Sequence, residues 1–129
     1  MTNDIRRVAS GTAWEAKVGY CRAIAVGSIV YVSGTVAVDD EGCIFAPRDA
    51  YAQTRRCLAI IERALGELGA NLQNVVRTRM YVTDFADWDA IACAHREVFA
   101  EYPPASTMVA VAALIDPATV IEIEAEAVL

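Results

Sequence analysis

Between Asp49 and Gly69 the small and apolar residues recur every three or four positions. Thr54, Cys57, Leu58, Ile61, Leu65 and Leu68 form one stripe, while Arg55, Arg56, Glu62, Arg63 and Glu67 fall mainly on the other side. A period near 3.6 predicts an amphipathic helix. Asp49 is its natural N-cap and Gly69 its left-handed stop. A second helix is predicted from about Asp84 or Asp87 to Ala100, with Phe85, Trp88, Ile91, His95, Val98 and Phe99 near one face. Pro103-Pro104 ends it, because the residue before a proline is pushed out of the helical region.

The remaining patterns alternate. Arg22–Ala25 and Ile29–Ser33 read as a hairpin around Val26-Gly27-Ser28. Thr35 to Val38 continues extended, and the turn Asp39-Asp40-Glu41-Gly42 leads to a short strand at Cys43–Phe45. In the strand predicted over Asn74–Thr83, Val76, Thr78, Met80 and Val82 point one way, and Val75, Arg77, Arg79 and Tyr81 the other. Ser106–Ala112 and Val120–Leu129 complete the set, joined by a turn around Asp116-Pro117.

The order ββ(β)αβαββ gives an α+β fold. Two striped helices need one sheet face to bury against, which predicts a two-layer sandwich with a mixed sheet and both helices on one face. The other face is then charged. In the last strand Ile121, Ile123, Ala125 and Ala127 turn to the core, and Glu122, Glu124 and Glu126 turn away. A solvated outer face and a subunit interface of paired charges both satisfy this pattern.

With 129 residues, 56% of them hydrophobic and 22% charged, the chain fits one domain with a sizeable core. Eleven basic residues against seventeen acidic ones leave a net charge of −6, and only one of the basic residues is a lysine. That balance disfavours a nucleic-acid surface, so nucleic acid is not expected as a main partner. The longest apolar run, Met108 to Ile115, is far shorter than a membrane span of about 20 residues. Met1 to Ser10 carries no leader pattern, and a cytoplasmic protein is expected. Cys21, Cys43, Cys57 and Cys93 are widely spaced, with one histidine, His95, beside them; they read as reduced thiols, without a metal site.

Several short motifs occur in order: Val30-Tyr31-Val32-Ser33-Gly34, Gln53, Gly69-Ala70, Val75-Val76-Arg77 through Tyr81-Val82-Thr83-Asp84, Pro104-Ala105 and Glu122-Ile123-Glu124-Ala125. Together they resemble the reactive-intermediate deaminase family (Rid, or YjgF-like, also labelled endoribonuclease L-PSP) from about Gly19 to Val128. The resemblance implies a chorismate-mutase-like fold, a homotrimer with clefts between subunits, and hydrolysis of small enamines or imines to keto acids and ammonia without metal or organic cofactor. It assigns the water-handling carboxylate to Glu122, and the cleft lining to Tyr20 and Ser33-Gly34.

One position departs from the pattern. Where the deaminase-type members carry an arginine that clamps the substrate carboxylate, this chain has Ser106, followed by Thr107, which is expected to line the cleft with it. A short neutral hydroxyl does not replace a bidentate guanidinium. Arg22 and Arg79 are therefore the candidates for meeting an anionic ligand, with at least one expected to face Glu122; the alternative is that they only pair with carboxylates across the sheet. His95 reads as a packed helix histidine, Trp14 as a cover or an anchor, Met108 as cleft lining or core, and Cys21 lacks an evident base. Three functions compete: imine or enamine hydrolysis in an inter-subunit cleft, binding or sensing of a small metabolite without turnover, and, less well supported, ribonuclease activity.

Overall fold

A computed structural model describes residues 4–129. The first three residues of the Met1–Ser10 stretch lie outside it. The strands are β1 (Ile5–Val8), β2 (Ala23–Val26), β3 (Ile29–Thr35), β4 (Val75–Val82), β5 (Ala105–Ala110) and β6 (Ile121–Val128), and the helices α1 (Ala13–Val18), α2 (Ala50–Glu67) and α3 (Trp88–Phe99). The strands form one mixed sheet in the order β1-β2-β3-β6-β4-β5. Only β4 and β5 run parallel, because α3 crosses between them.

The α+β reading holds, with α2 and α3 packed on each other and α2 against β3 and β6. Its stripe is buried as expected: Thr54, Cys57, Ile61 and Leu65 are wholly inaccessible. The Asp49 side chain caps the helix by accepting from the Ala52 amide. Beneath lie Val30, Val32, Met80, Val82, Ile121, Ile123, Ala125 and Ala127. Burial of apolar area, worth about 25 cal/mol per Å², is the main drive for these layers to pack.

Four local differences separate the pattern from the fold. β1 is an additional edge strand; its sequence Ile-Arg-Arg-Val alternates too briefly to be read. α1 is an additional short helix, stopped by Gly19 in the left-handed region at φ 89°. Cys43–Phe45 is not a strand but a single bridge, Val38 with Ile44. And in β4 the alternation breaks at its start: Val75 is buried and Val76 is 48% exposed, the reverse of the expectation. A bulge causes this, since Val75 and Arg77 pair with the consecutive residues Ala127 and Glu126, which leaves Val76 as the extra residue. Beyond it Thr78, Met80 and Val82 face the core as the pattern requires.

Candidate functional site

The outer sheet face is built from facing rows of β4 and β6, with Tyr81 opposite Glu122, Arg79 opposite Glu124 and Arg77 opposite Glu126. The side chains do not bond straight across. Tyr81 donates its hydroxyl to Glu124 Oε1 at 2.7 Å, and Arg79 Nη1 reaches Glu126 Oε1 at 2.9 Å, with Glu124 further off at 3.7 Å. Arg77 turns the other way, to Thr107 Oγ1 at 2.6 Å. Tyr81 and Arg79 thus each serve the carboxylate one pair along. The diagonal offset leaves Glu122, at the end of the row, as the carboxylate without a hydrogen-bond donor among the described residues.

Glu122 instead lies against the β3 bulge. Val32 and Thr35 pair with Ala125 and Ile123, so Ser33 and Gly34 together stand opposite Glu124 alone. A Cβ on Gly34 would sit 3.0 Å from Glu122 Cδ and 3.1 Å from its Oε1, so only glycine leaves room for that carboxyl. Arg22 comes to the other side of the same peptide, donating from Nη2 to the Gly34 carbonyl at 2.6 Å. The Arg22 side chain is buried, its Nε has no partner among the described residues, and the face of Tyr20 lies 5.7 Å from its guanidinium carbon. Burial pushes the Glu122 pKa above the usual carboxylate range; the Arg22 charge opposes this and Glu124 adds to it.

The structure therefore gathers Tyr20, Arg22, Gly34 and Glu122 around one peptide. Of the two candidate arginines, Arg22 acts on Glu122, whereas Arg79 is held by Glu124 and Glu126. The Ser33 hydroxyl is turned away to the Cys21 carbonyl at 2.7 Å and fastens β3 to the segment before β2. A shallow groove of about 230 Å³ lies beside this cluster on the outer face, lined among others by Tyr31, Ser33, Arg79 and Glu124.

Ser106 lies elsewhere. It pairs with Thr78, whose side chain is wholly buried on the helix side of the sheet, and Thr78 Oγ1 donates to Ser106 Oγ at 2.8 Å. His95 of α3 completes the group, its Nε2 3.0 Å from Thr78 Oγ1 and its ring tilted on Phe99 at 4.6 Å between centroids. His95 is packed, as expected, but it is also bonded. Thr107, the next residue on β5, faces outward to Arg77. Within one chain Ser106 and Glu122 thus lie on opposite faces of the sheet, two strands apart.

The sequence reading missed Glu15. Its carboxylate accepts from the Ser10 amide at 3.0 Å, the Ser10 hydroxyl and the Thr12 hydroxyl at 3.0 Å, and these bonds hold its pKa low against burial. Its backbone carbonyl accepts from Gly19 and Tyr20, so Glu15 ties the entry loop to the site segment. The signal was the spacing Ser10, Thr12, Glu15 at the start of a short helix, with an acidic residue in the first turn able to gather nearby N–H and O–H donors. Trp14 beside it is 46% exposed, with Lys17 over its ring. Among the described residues, no group of three or more His, Cys, Asp or Glu is placed to hold a metal ion.

The profile of the family described as "Endoribonuclease L-PSP" matches residues 10–129. The chain belongs to that family. Three similar proteins locate it within the L-PSP fold. The crystal structure of Rv2704 from Mycobacterium tuberculosis, described as a member of the YjgF/YER057c/UK114 family, superposes with a TM-score of 0.89 at 42% identity, covering 98% of this chain and 100% of that one. SCO2049 of Streptomyces coelicolor, an uncharacterised protein, is 35% identical over 98% of this chain and 95% of its own. The 3-aminoacrylate deaminase RutC of Acinetobacter baylyi is 36% identical over 81% of this chain and 82% of its own. No helix among the described residues is long and apolar enough to cross a membrane.

Proposed function

We propose that this L-PSP family protein hydrolyses a small imine or enamine, with Glu122 handling the attacking water. The observation that carries the reading is the free Glu122 carboxyl, left over by the diagonal ladder, desolvated against Gly34 and set beside Arg22. A carboxylate with a raised pKa is a better general base than an exposed one. Water adds to the carbon of the protonated imine as Glu122 takes one of its protons, which gives a neutral carbinolamine. Glu122 then returns its proton to nitrogen, the C–N bond breaks as the carbinolamine hydroxyl releases its proton to solvent, and a carbonyl compound and ammonia leave. No metal or organic cofactor is needed, because an imine carbon is already electrophilic. The similarity to a 3-aminoacrylate deaminase agrees with this reaction class.

A second copy of the chain completes the site. Glu122 and Ser106 lie on opposite sheet faces, so one small molecule reaches both only when β5 of one subunit adjoins Glu122 of the next. The outer face favours such packing: Tyr31 and Val109 are 49% and 42% exposed there among partnered charges. A homotrimer with three equivalent clefts satisfies this arrangement and is the assembly we assign. Arg22 and Tyr20 line the cleft with Glu122, whereas Ser33 and Arg79 shape it through bonds within the chain. Ser106 in place of an arginine clamp argues against 2-aminoacrylate as the substrate.

The test is ammonia release from imines generated in place by an amino-acid oxidase. Turnover above buffer that falls at least a hundredfold in Glu122→Gln supports the reading; equal rates for both proteins refute it. Ligand-dependent thermal stabilisation without any product identifies a binding or sensing protein instead.

A further inference from the structure

The hydrogen-bonded row Ser106–Thr78–His95 is unused by the reaction just described. Three polar side chains from β5, β4 and α3 meet at 2.8 and 3.0 Å, the middle one wholly buried. Thr78 has a single hydroxyl proton. Given to Ser106 Oγ, it leaves a lone pair of Thr78 Oγ1 for His95 and puts the proton of that bond on Nε2; given to Nε2, it reverses the row, so the imidazole tautomer sets the direction. We take the first tautomer, in which the row runs from imidazole N–H to Thr78 and from Thr78 O–H to Ser106. The proton of Ser106 itself points away from the row, and Ser106 is exposed on the edge strand β5. Hydrogen bonds aligned in series polarise one another, which makes the terminal hydroxyl a stronger donor than a free serine.

We propose that Ser106 is a directed hydrogen-bond donor to an uncharged acceptor on the substrate, a carbonyl or carboxamide oxygen, and that Thr78 and His95 position it. This deepens the hydrolase reading by naming the substrate class. An imidazole whose pKa burial lowers brings no positive charge to the row, and Arg77 and Arg79, which flank Thr78 on β4, turn to Thr107 and Glu126 on the opposite face. A carboxylate leaving water for one neutral hydroxyl would stay under-solvated, whereas a carbonyl oxygen asks for a single donor. Within its chain the row offers that one donor.

Two measurements on the intact protein test this without requiring turnover. Ring ¹⁵N NMR should show His95 protonated at Nε2, with that preference lost in Thr78→Val and kept in Thr78→Ser. Titration with pyruvamide and with pyruvate should show tighter binding of the amide. Ser106→Ala should weaken pyruvamide at least fivefold, and Ser106→Arg should reverse the preference toward pyruvate. Protonation at Nδ1, tighter binding of pyruvate by the unaltered protein, no binding of either probe, or pyruvamide affinity unchanged in Ser106→Ala overturns the proposal. Failure of imine hydrolysis alone, with these results intact, removes the catalytic reading and leaves the donor assignment standing.

Discussion

Gly34 and Glu122 are in contact across β3 and β6, so that the absent side chain of one defines the place of the other's carboxyl. A methyl at position 34 would meet Glu122 Cδ and Oε1 at 3.0 and 3.1 Å. Those atoms end a flexible side chain, so the sheet yields little and the carboxyl moves. Gly34→Ala is expected to change stability by no more than about 1 kcal/mol. Imine turnover should drop roughly tenfold or more, since displacement of a base by even 1 Å is costly. Thermal unfolding beside kcat and KM checks both; a variant fully active at unaltered Tm contradicts the placement of Glu122.

Glu122 also leaves a signature in the pH dependence of stability. Its folded pKa is raised, mainly by burial, so the folded chain holds this proton more tightly than the unfolded chain does. Above the unfolded pKa the folded state loses that advantage, and the contribution of this group to stability falls as pH rises through the folded pKa. Glu122→Gln carries no such charge. Its stability relative to the unaltered protein should increase between about pH 4 and neutrality and level off beyond. Urea unfolding of both proteins across this range measures the difference; a flat difference contradicts the burial of the carboxylate.

The strong periodicities were legible because they report burial directly. The α2 stripe and the alternation of Ile121, Ile123, Ala125 and Ala127 each follow from one element with one buried side. The bulge at Val76 was not legible, since an extra residue reverses the faces of Val75 and Val76 without altering composition. Nor was the division of the site. Glu122, Tyr20 and Ser106 were each singled out, but which face of the sheet each takes depends on register between strands distant in sequence. The same holds for the choice between Arg22 and Arg79: a one-pair diagonal shift in the β4–β6 ladder engages Arg79 and leaves Glu122 free.

The four cysteines are expected to differ sharply toward a thiol reagent. Cys57 is wholly buried on the inner face of α2, its Sγ directed at the Thr35 carbonyl 3.2 Å away, and burial pushes its pKa far up. Cys93 is only half-buried, but its thiol is held protonated by Glu97 at 3.3 Å. Cys43 is exposed in the turn before α2. Reactivity follows access and thiolate fraction, so Cys43 should label first and Cys57 only with global unfolding. Mass spectrometry of timed labelling in buffer and in urea reads the order; early labelling of Cys57 contradicts its place in the core.

Gln53 is wholly buried in α2, and its amide joins segments far apart in sequence. Nε2 donates to the carbonyls of Phe45, Ala46 and Ala118 at 3.2, 3.2 and 2.9 Å, and Oε1 accepts from the Val120 amide at 2.9 Å. It thereby fixes the loop before α2 to the start of β6, two residues ahead of Glu122. Leucine of similar size leaves the Val120 N–H and several carbonyls without partners, each unmet buried group costing about 1–3 kcal/mol. Gln53→Leu should therefore lose roughly 2–4 kcal/mol and about 10 °C in Tm. Amide exchange at Val120 should accelerate before that of Ile123, deeper in the sheet. Gln53→Glu keeps the acceptor for Val120 but sets a carboxylate against three carbonyl oxygens, so it should fare no better. If Gln53→Leu unfolds at the same temperature as the unaltered protein, the amide is not what joins α2 to β6.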